Sequence, residues 1–168
     1  DYDYAFNIFE LDAASNRKIA DIRDLLEKVK IPPQLGKYKV YIIDEVHMLT
    51  KEAENAFLKT LDEPPPHIVF ILATTEKNKI LPTILSRCQI YDFNKISDLD
   101  NKHYLEEIIK SEGYNYESKA VSIIAKKAYG SLRDSLTILD RVINYTNGNI
   151  TLEKTSQILN ILDTDTYI

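Results

Sequence analysis

The sequence predicts an α/β protein: a parallel sheet interleaved with helices over residues 1–95, followed by a small all-helical domain over 96–168. Three observations carry this expectation. Short apolar and β-branched runs near 7–11, 39–43, 68–73 and 89–93 alternate with amphipathic stretches, the pattern of strands joined by crossover helices. Val40-Tyr41-Ile42-Ile43 puts four apolar side chains in a row, which suits a strand covered on both faces. Beyond Lys95 the strand-like runs stop and helical periodicity replaces them.

Each element has a local cause. Ser15 or Asn16 supplies a cap for the helix after the first strand, and Ile19, Ile22, Leu26 and Val29 form its apolar stripe. Ile31-Pro32-Pro33 ends it, because proline cannot continue a helix and restricts the residue before it. Thr50 caps a second helix whose Glu52 and Glu54 lie in the first turn, where acids suit the helix dipole. Ala53, Phe57 and Leu61 face inward there, and Pro64-Pro65-Pro66 stops it. The run Ile68 to Ala73 is a third strand, followed by a short helix at 80–85 and a fourth strand at 89–93. The second region fits four helices, 98–111, 118–129, 132–146 and 152–162, punctuated by Gly113, Gly130 and Gly148. Ser97-x-x-Asp100 and Ser131-x-x-Asp134 start two of them as capping boxes with Asp in place of Glu or Gln. The boundary falls near 94–97.

With 168 residues the chain can bury a core, and 44% apolar and 28% charged residues suit a globular protein. A net charge of −5 argues against a generally basic nucleic-acid surface while leaving room for a local phosphate contact. Cys88 is the single cysteine, which excludes disulfides and cysteine-rich zinc sites within the chain. No apolar stretch approaches membrane-spanning length, and residue 1 starts no signal peptide.

Asp44 and Glu45 are the leading constellation. Two adjacent carboxylates where an apolar strand emerges form either an acidic surface turn or half of a nucleotide site, and the apolar flanks on both sides favour the second. There Asp44 would orient magnesium or its bound water, and Glu45 would activate an attacking water. The four glycines, Gly36, Gly113, Gly130 and Gly148, supply no G-x-x-x-x-G-K-[ST] phosphate loop. His47 reads as a structural hydrogen-bonding residue rather than a base, and a superfamily-2 helicase reading of D-E-V-H rests on one tetrapeptide. Thr74-Thr75 ends the next strand, either as two β-branched residues or as hydroxyls that orient water or phosphate beside the acids. Arg87 in Ser86-Arg87-Cys88 is an ion-pair partner or a cation projected to a neighbour's nucleotide, while Cys88 packs as a small apolar residue. Arg133 opposes the dipole in the first turn of its helix, so it pairs with Asp134 or awaits an external anion. Arg17, Lys18 and Arg23 make the first helix basic at its start. They could meet phosphates, although i,i+4 pairing of Arg17 with Asp21 and Arg23 with Glu27 is the simpler account.

Six segments in order resemble one family. Asp12-Ala13-Ala14-Ser15, Tyr41-Ile42-Ile43-Asp44-Glu45-Val46-His47-Met48-Leu49 and Leu58-Lys59-Thr60-Leu61-Asp62-Glu63-Pro64-Pro65 are similar to the bacterial DNA polymerase III gamma/tau subunits, the AAA+ motor of the clamp loader. Leu72-Ala73-Thr74-Thr75, Ile84-Leu85-Ser86-Arg87-Cys88 and Gly130-Ser131-Leu132-Arg133-Asp134 continue the likeness, which covers nearly the whole chain. The resemblance implies an incomplete, Rossmann-like AAA+ core with its first strand missing, then a helical lid and the start of a linker to a collar domain. It implies that Asp44 and Glu45 are the Walker B pair, with Asp44 holding magnesium through water. By the same likeness Thr75 (or Thr74) is sensor 1, Arg87 a trans-acting arginine finger and Arg133 sensor 2. The helix carrying Arg17, Lys18 and Arg23 would face primer-template DNA and track phosphates rather than read bases.

The implied parent is a cytoplasmic ATPase subunit of the polymerase (nucleotidyltransferase) holoenzyme, using ATP and Mg to load the sliding clamp. Its partners would be delta, delta-prime and further gamma/tau subunits, the clamp and DNA, with no membrane. The phosphate loop and the family's zinc module would precede this chain, which alone would be ATPase-inactive with no cofactor bound. The missing strand would sit between those at 68–73 and 89–93 and leave a gap or unpaired edge. The alternative is a non-hydrolysing, delta-prime-like subunit that donates an arginine.

Overall fold

The computed structural model describes residues 6–16 and 18–160. The chain forms two compact units, Asp1–Tyr91 and Asp92–Ile168, dividing a few residues before the expected junction at 95/96.

In the first unit three strands, β1 (Ile8–Asp12), β2 (Lys39–Asp44) and β3 (Ile68–Leu72), lie side by side in the order β1-β2-β3. All pairings are parallel, with Asp12 opposite Asp44 and Ile43 opposite Leu72. Helices α1 (Ile19–Val29) and α2 (Lys51–Asp62) are the crossovers, and α3 (Pro82–Leu85) follows β3. The period-2 alternation of strands puts Phe9, Tyr41 and Phe70 on one face of the sheet. Phe9 stacks on Tyr41 with centroids 4.9 Å apart, and Phe57 from α2 meets Phe70 edge-on at 4.8 Å. Ile22, Ile43, Val46, Ala53, Phe57 and Ile84 complete the core on that side.

Three expectations need correction. The sheet is covered on one face only among the described residues: Tyr41 and Ile43 are buried, whereas Val40 and Ile42 are half-buried and Val69 and Ile71 exposed. An apolar run cannot tell one covered face from two, because both faces are filled with the same residue types. No strand forms at 89–93, and Ile90, Tyr91 and Phe93 are exposed. A strand exists through its pairing, and among the described residues this segment joins neither sheet. Finally, α1 starts at Ile19 rather than after Ser15. The Ser15 hydroxyl donates to Asp12 Oδ2 at 2.8 Å and Ala14 N–H to Asp12 Oδ1 at 2.7 Å, so a local turn takes the groups a cap would have used. The helix instead begins with Asp21 accepting from Lys18 N–H at 3.2 Å.

The second unit packs α4 (Asp98–Ser111), α5 (Ser118–Lys127), α6 (Leu132–Thr146) and α7 (Leu152–Ile158) around Leu105, Ile109, Val121, Ile124, Leu139 and Val142. Ser97, Ser131 and Thr151 cap α4, α6 and α7 through their hydroxyls, as Thr50 does for α2. A two-residue parallel pairing of β4 (Asn115–Tyr116) with β5 (Asn149–Ile150) joins two of its loops. Among the described residues no helix is long and apolar enough to cross a membrane.

Candidate functional site

The carboxyl ends of β2 and β3 carry Asp44, Glu45 and Thr75. Asp44 closes β2 and is exposed; one of its carboxylate oxygens, Oδ1, accepts the Glu45 N–H at 2.9 Å. Ala13 N–H binds Asp44 O at 2.9 Å and Val46 N–H binds Ala73 O at 3.0 Å, so the strand end is tied on both sides. Glu45 lies between these anchors in the left-handed region, φ 49 and ψ 43, an uncommon conformation for a residue with a side chain. This breaks the strand alternation and brings the Glu45 side chain to the segment after β3. There Thr75 Oγ1 donates to Glu45 Oε2 at 3.2 Å and Thr75 N–H to the same oxygen at 3.4 Å.

Two residues that resemblance did not mark join this group. His47 sits on the 3-10 turn Val46–Met48, its side chain 7% exposed and its Nδ1 3.2 Å from Glu45 Oε2. The same nitrogen is 3.0 Å from Thr74 Oγ1, and Nε2 is 3.5 Å from Glu76 Oε1. Thr74 Oγ1 accepts from Glu76 N–H at 3.0 Å, so Thr74 serves the loop while Thr75 serves Glu45. A Lys79 hydrogen bond, and then the charges of Lys79 and His47, hold the Glu76 carboxyl below its ordinary range. The available signal was the spacing of an acid and a histidine two residues apart across a turn.

Asp12, level with Asp44 on the neighbouring strand, has both carboxylate oxygens engaged by its own turn. Among the described residues no cluster of three or more His, Cys, Asp or Glu could hold a metal ion.

The two arginines behave differently. Arg87, on the turn after α3, is held within the chain: Nε donates to Asp62 Oδ1 at the end of α2 and Nη1 to Thr83 O at 2.6 Å. α3 is itself docked by Glu54, a 5% exposed carboxylate that accepts from the Leu81 backbone and whose pKa burial pushes up. Burial likewise raises the Cys88 thiol, which packs against the apolar core as expected. In the second unit, Arg133 follows the Ser131 cap in the first turn of α6 and is exposed; among the described residues it pairs with no acid, Asp134 included. Of the basic residues at the start of α1, Lys18 and Arg23 are exposed, and Arg17 lies outside the described residues. Glu27 pairs with Lys30 at 2.7 Å, not with Arg23, which overturns that i,i+4 expectation because the i+3 lysine takes the carboxylate.

Two family models match the chain. One, described as DNA polymerase III, delta subunit, matches residues 5–97; the other, described as DNA polymerase III clamp loader subunit, ATPase lid domain, matches residues 102–148. The chain is 47% identical to DNA polymerase III subunit tau of Bacillus subtilis over 147 residues, covering 88% of this chain and 26% of that protein. It is 44% identical to DNA polymerase III subunit gamma of Buchnera aphidicola from Schizaphis graminum, covering 92% of this chain and 43% of that one. The chain thus spans less than half the length of these relatives. Among solved structures, the Thermotoga maritima RuvB Holliday junction branch migration motor matches with a TM-score of 0.75 at 21% identity over 94% of this chain and 54% of that one. At that identity the likeness speaks for the fold: an AAA+ sheet core followed by a helical lid.

Proposed function

The chain belongs to the DNA polymerase III gamma/tau family of clamp-loader subunits, and from that premise we propose that it carries the hydrolytic half of an ATPase motor that loads a sliding clamp onto primed DNA. The observation that carries this reading is the meeting of Glu45 with Thr75, 30 positions apart in sequence, beside Asp44 at the carboxyl end of a parallel sheet. Ligands of open α/β sheets bind at that end.

The donor set suits magnesium. Asp44 is exposed and spends only Oδ1 on a backbone N–H, leaving its second oxygen for a metal or a metal-bound water. One carboxylate fits an ion that keeps several waters and takes its other ligands from phosphates. When bound, magnesium would neutralise charge on the phosphates. Glu45 is the general base in this reading: Oε2 is taken by the Thr75 donors, and Oε1 is left to accept a proton from an attacking water. Thr75, read as sensor 1, holds that carboxylate through its hydroxyl and its N–H.

Arg133, whose guanidinium pairs with no acid among the described residues, is suited to an anion that the nucleotide's terminal phosphate would supply. Arg87 is assigned to a neighbouring subunit's nucleotide, a role that requires it to leave Asp62. Lys18 and Arg23 are assigned to primer-template phosphates, with the other loader subunits (delta, delta-prime and further gamma/tau) and the clamp as partners. With no phosphate loop in its 168 residues, the chain by itself is expected to be inactive.

The test is Glu45→Gln in the full-length protein, which should keep ATP binding and lose about 100-fold or more in turnover. Unchanged hydrolysis would remove Glu45 from the mechanism. The delta-prime-like alternative gains from the delta-subunit description of the model matching residues 5–97 and loses from the intact acid pair. A wild-type protein that binds no ATP and hydrolyses none would favour it.

A further inference from the structure

Glu45 Oε2 is crowded. Three groups surround it within 3.4 Å: Thr75 N–H, Thr75 Oγ1 and His47 Nδ1. The Thr75 donors belong to the segment after β3, whereas His47 belongs to the turn that follows Glu45 itself. That turn is a rigid mount. Val46 is fully buried and Leu49 7% exposed, Met48 N–H returns to Glu45 O at 2.8 Å, and Val46 N–H crosses to Ala73 O at 3.0 Å. An imidazole so enclosed must find partners for both ring nitrogens. Nδ1 finds Glu45 and Thr74, and Nε2 faces Glu76, whose carboxylate Lys79 holds at 2.7 Å.

We propose that His47 is a positioning residue for Glu45: from its fixed turn the imidazole commits Oε2 to the protein and thereby leaves Oε1 as the oxygen presented to water. The inference rests on the reading of Glu45 as general base. Thr75 alone cannot fix the carboxylate, because both its donors lie on one exposed residue at 3.2 and 3.4 Å. His47 approaches the same oxygen from the buried side and closes a ring of contacts through Thr74 to Glu76. The carboxylate is then held by both flanking segments, and its free oxygen has one direction. Catalysis through a base depends on such aim, since a misplacement of an ångström costs about 100-fold.

The closing experiment compares His47→Ala, His47→Asn and His47→Gln in the full-length protein. An Asn amide reaches the place of Nδ1 and a Gln amide that of Nε2. The expected result is that His47→Ala and His47→Gln lower kcat by about 10- to 100-fold while the ATP Kd stays within about twofold, and that His47→Asn recovers most of the rate. A role in stability alone would lower the melting temperature of all three and would not sort Asn from Gln. Equal kcat for wild type and His47→Ala, or His47→Asn as slow as His47→Ala, overturns the proposal. A second measurement needs no turnover: the ring 15N resonances of His47 in histidine-labelled protein should move on Glu45→Gln and on Glu76→Gln. Resonances indifferent to Glu45→Gln would overturn the contact even in a protein that hydrolyses nothing, whereas absent hydrolysis with the shifts present would count against the ATPase reading and leave the positioning contact established.

Discussion

Arg87 can serve a neighbouring subunit only if its bond to Asp62 is cheap to break, and the structure allows that cost to be worked out. The Arg87 and Asp62 side chains are 35% and 50% exposed, so water screens the pair heavily. Ion pairs in such surroundings are worth about 0.2–1 kcal/mol. A trans-acting arginine contributes about 10³–10⁵ in rate, or about 4–7 kcal/mol of transition-state stabilisation. The second figure exceeds the first several-fold, so the intrachain bond would be no obstacle to that role. The perturbation is a double-mutant cycle with Asp62→Asn and Arg87→Gln, read from urea denaturation midpoints. A coupling of about 0.2–1 kcal/mol is expected. A coupling above about 2 kcal/mol would refute the reasoning, because Arg87 would then be a strut between α2 and the turn after α3.

Two further outcomes follow from single contacts. Burial raises the Glu54 carboxyl above its ordinary value of 4.5, so in the window above that value the folded chain binds more protons than the unfolded chain and stability falls as pH rises. Glu54→Gln keeps an acceptor for the Leu81 N–H, and its urea midpoint should exceed that of the wild type at pH 7 by a margin that closes toward pH 4.5; a margin independent of pH would remove burial as the cause. Gly130 has φ +83, and a Cβ there would lie 2.7 Å from Lys95 Cβ and 2.9 Å from the Ile96 carbonyl oxygen. Gly130→Ala should cost about 2 kcal/mol or more in urea melts, and a neutral result would mean that the connection at Lys95–Ile96 yields freely.

Much of the fold was legible because its causes are local. Thr50, Ser97 and Ser131 announce α2, α4 and α6, and their hydroxyls are the caps. Of the four lid helices, α4, α6 and α7 begin at their expected starts behind such a hydroxyl, while α5 begins as expected behind Glu117, which makes no side-chain cap bond. What failed were properties of pairs. Ser15 looks like a cap until Asp12, three residues earlier, is seen to hold its hydroxyl. The run at 89–93 has strand composition but no partner strand among the described residues. The pairing of β4 with β5 joins two-residue stretches too short to show any period, and only the approach of two loops 34 positions apart creates it.

The site divides along the same line. Residue types and adjacency were enough to single out Asp44 and Glu45, yet strand alternation would send two neighbours to opposite faces and give no reason for them to cooperate. The left-handed turn at Glu45 resolves this: Asp44 keeps the direction of β2 and stays open to solvent, while Glu45 folds across to Thr75. One carboxylate keeps an oxygen open to solvent and the other is gripped by Thr75, a difference set by one backbone conformation. The arginines make the converse point. Arg87 and Arg133 looked equivalent in sequence, each a cation beside a helix end with a bland ion pair available. In the structure Arg87 took that option, with an acid 25 positions away, and Arg133 did not take it even with Asp134 adjacent. An unpaired cation in the first turn of α6 opposes the dipole by several tenths of a kcal/mol, whereas an exposed pair at Arg87 relieves a charge at almost no energetic consequence. Of the two, Arg133 is the one left in an electrostatically unfavourable position.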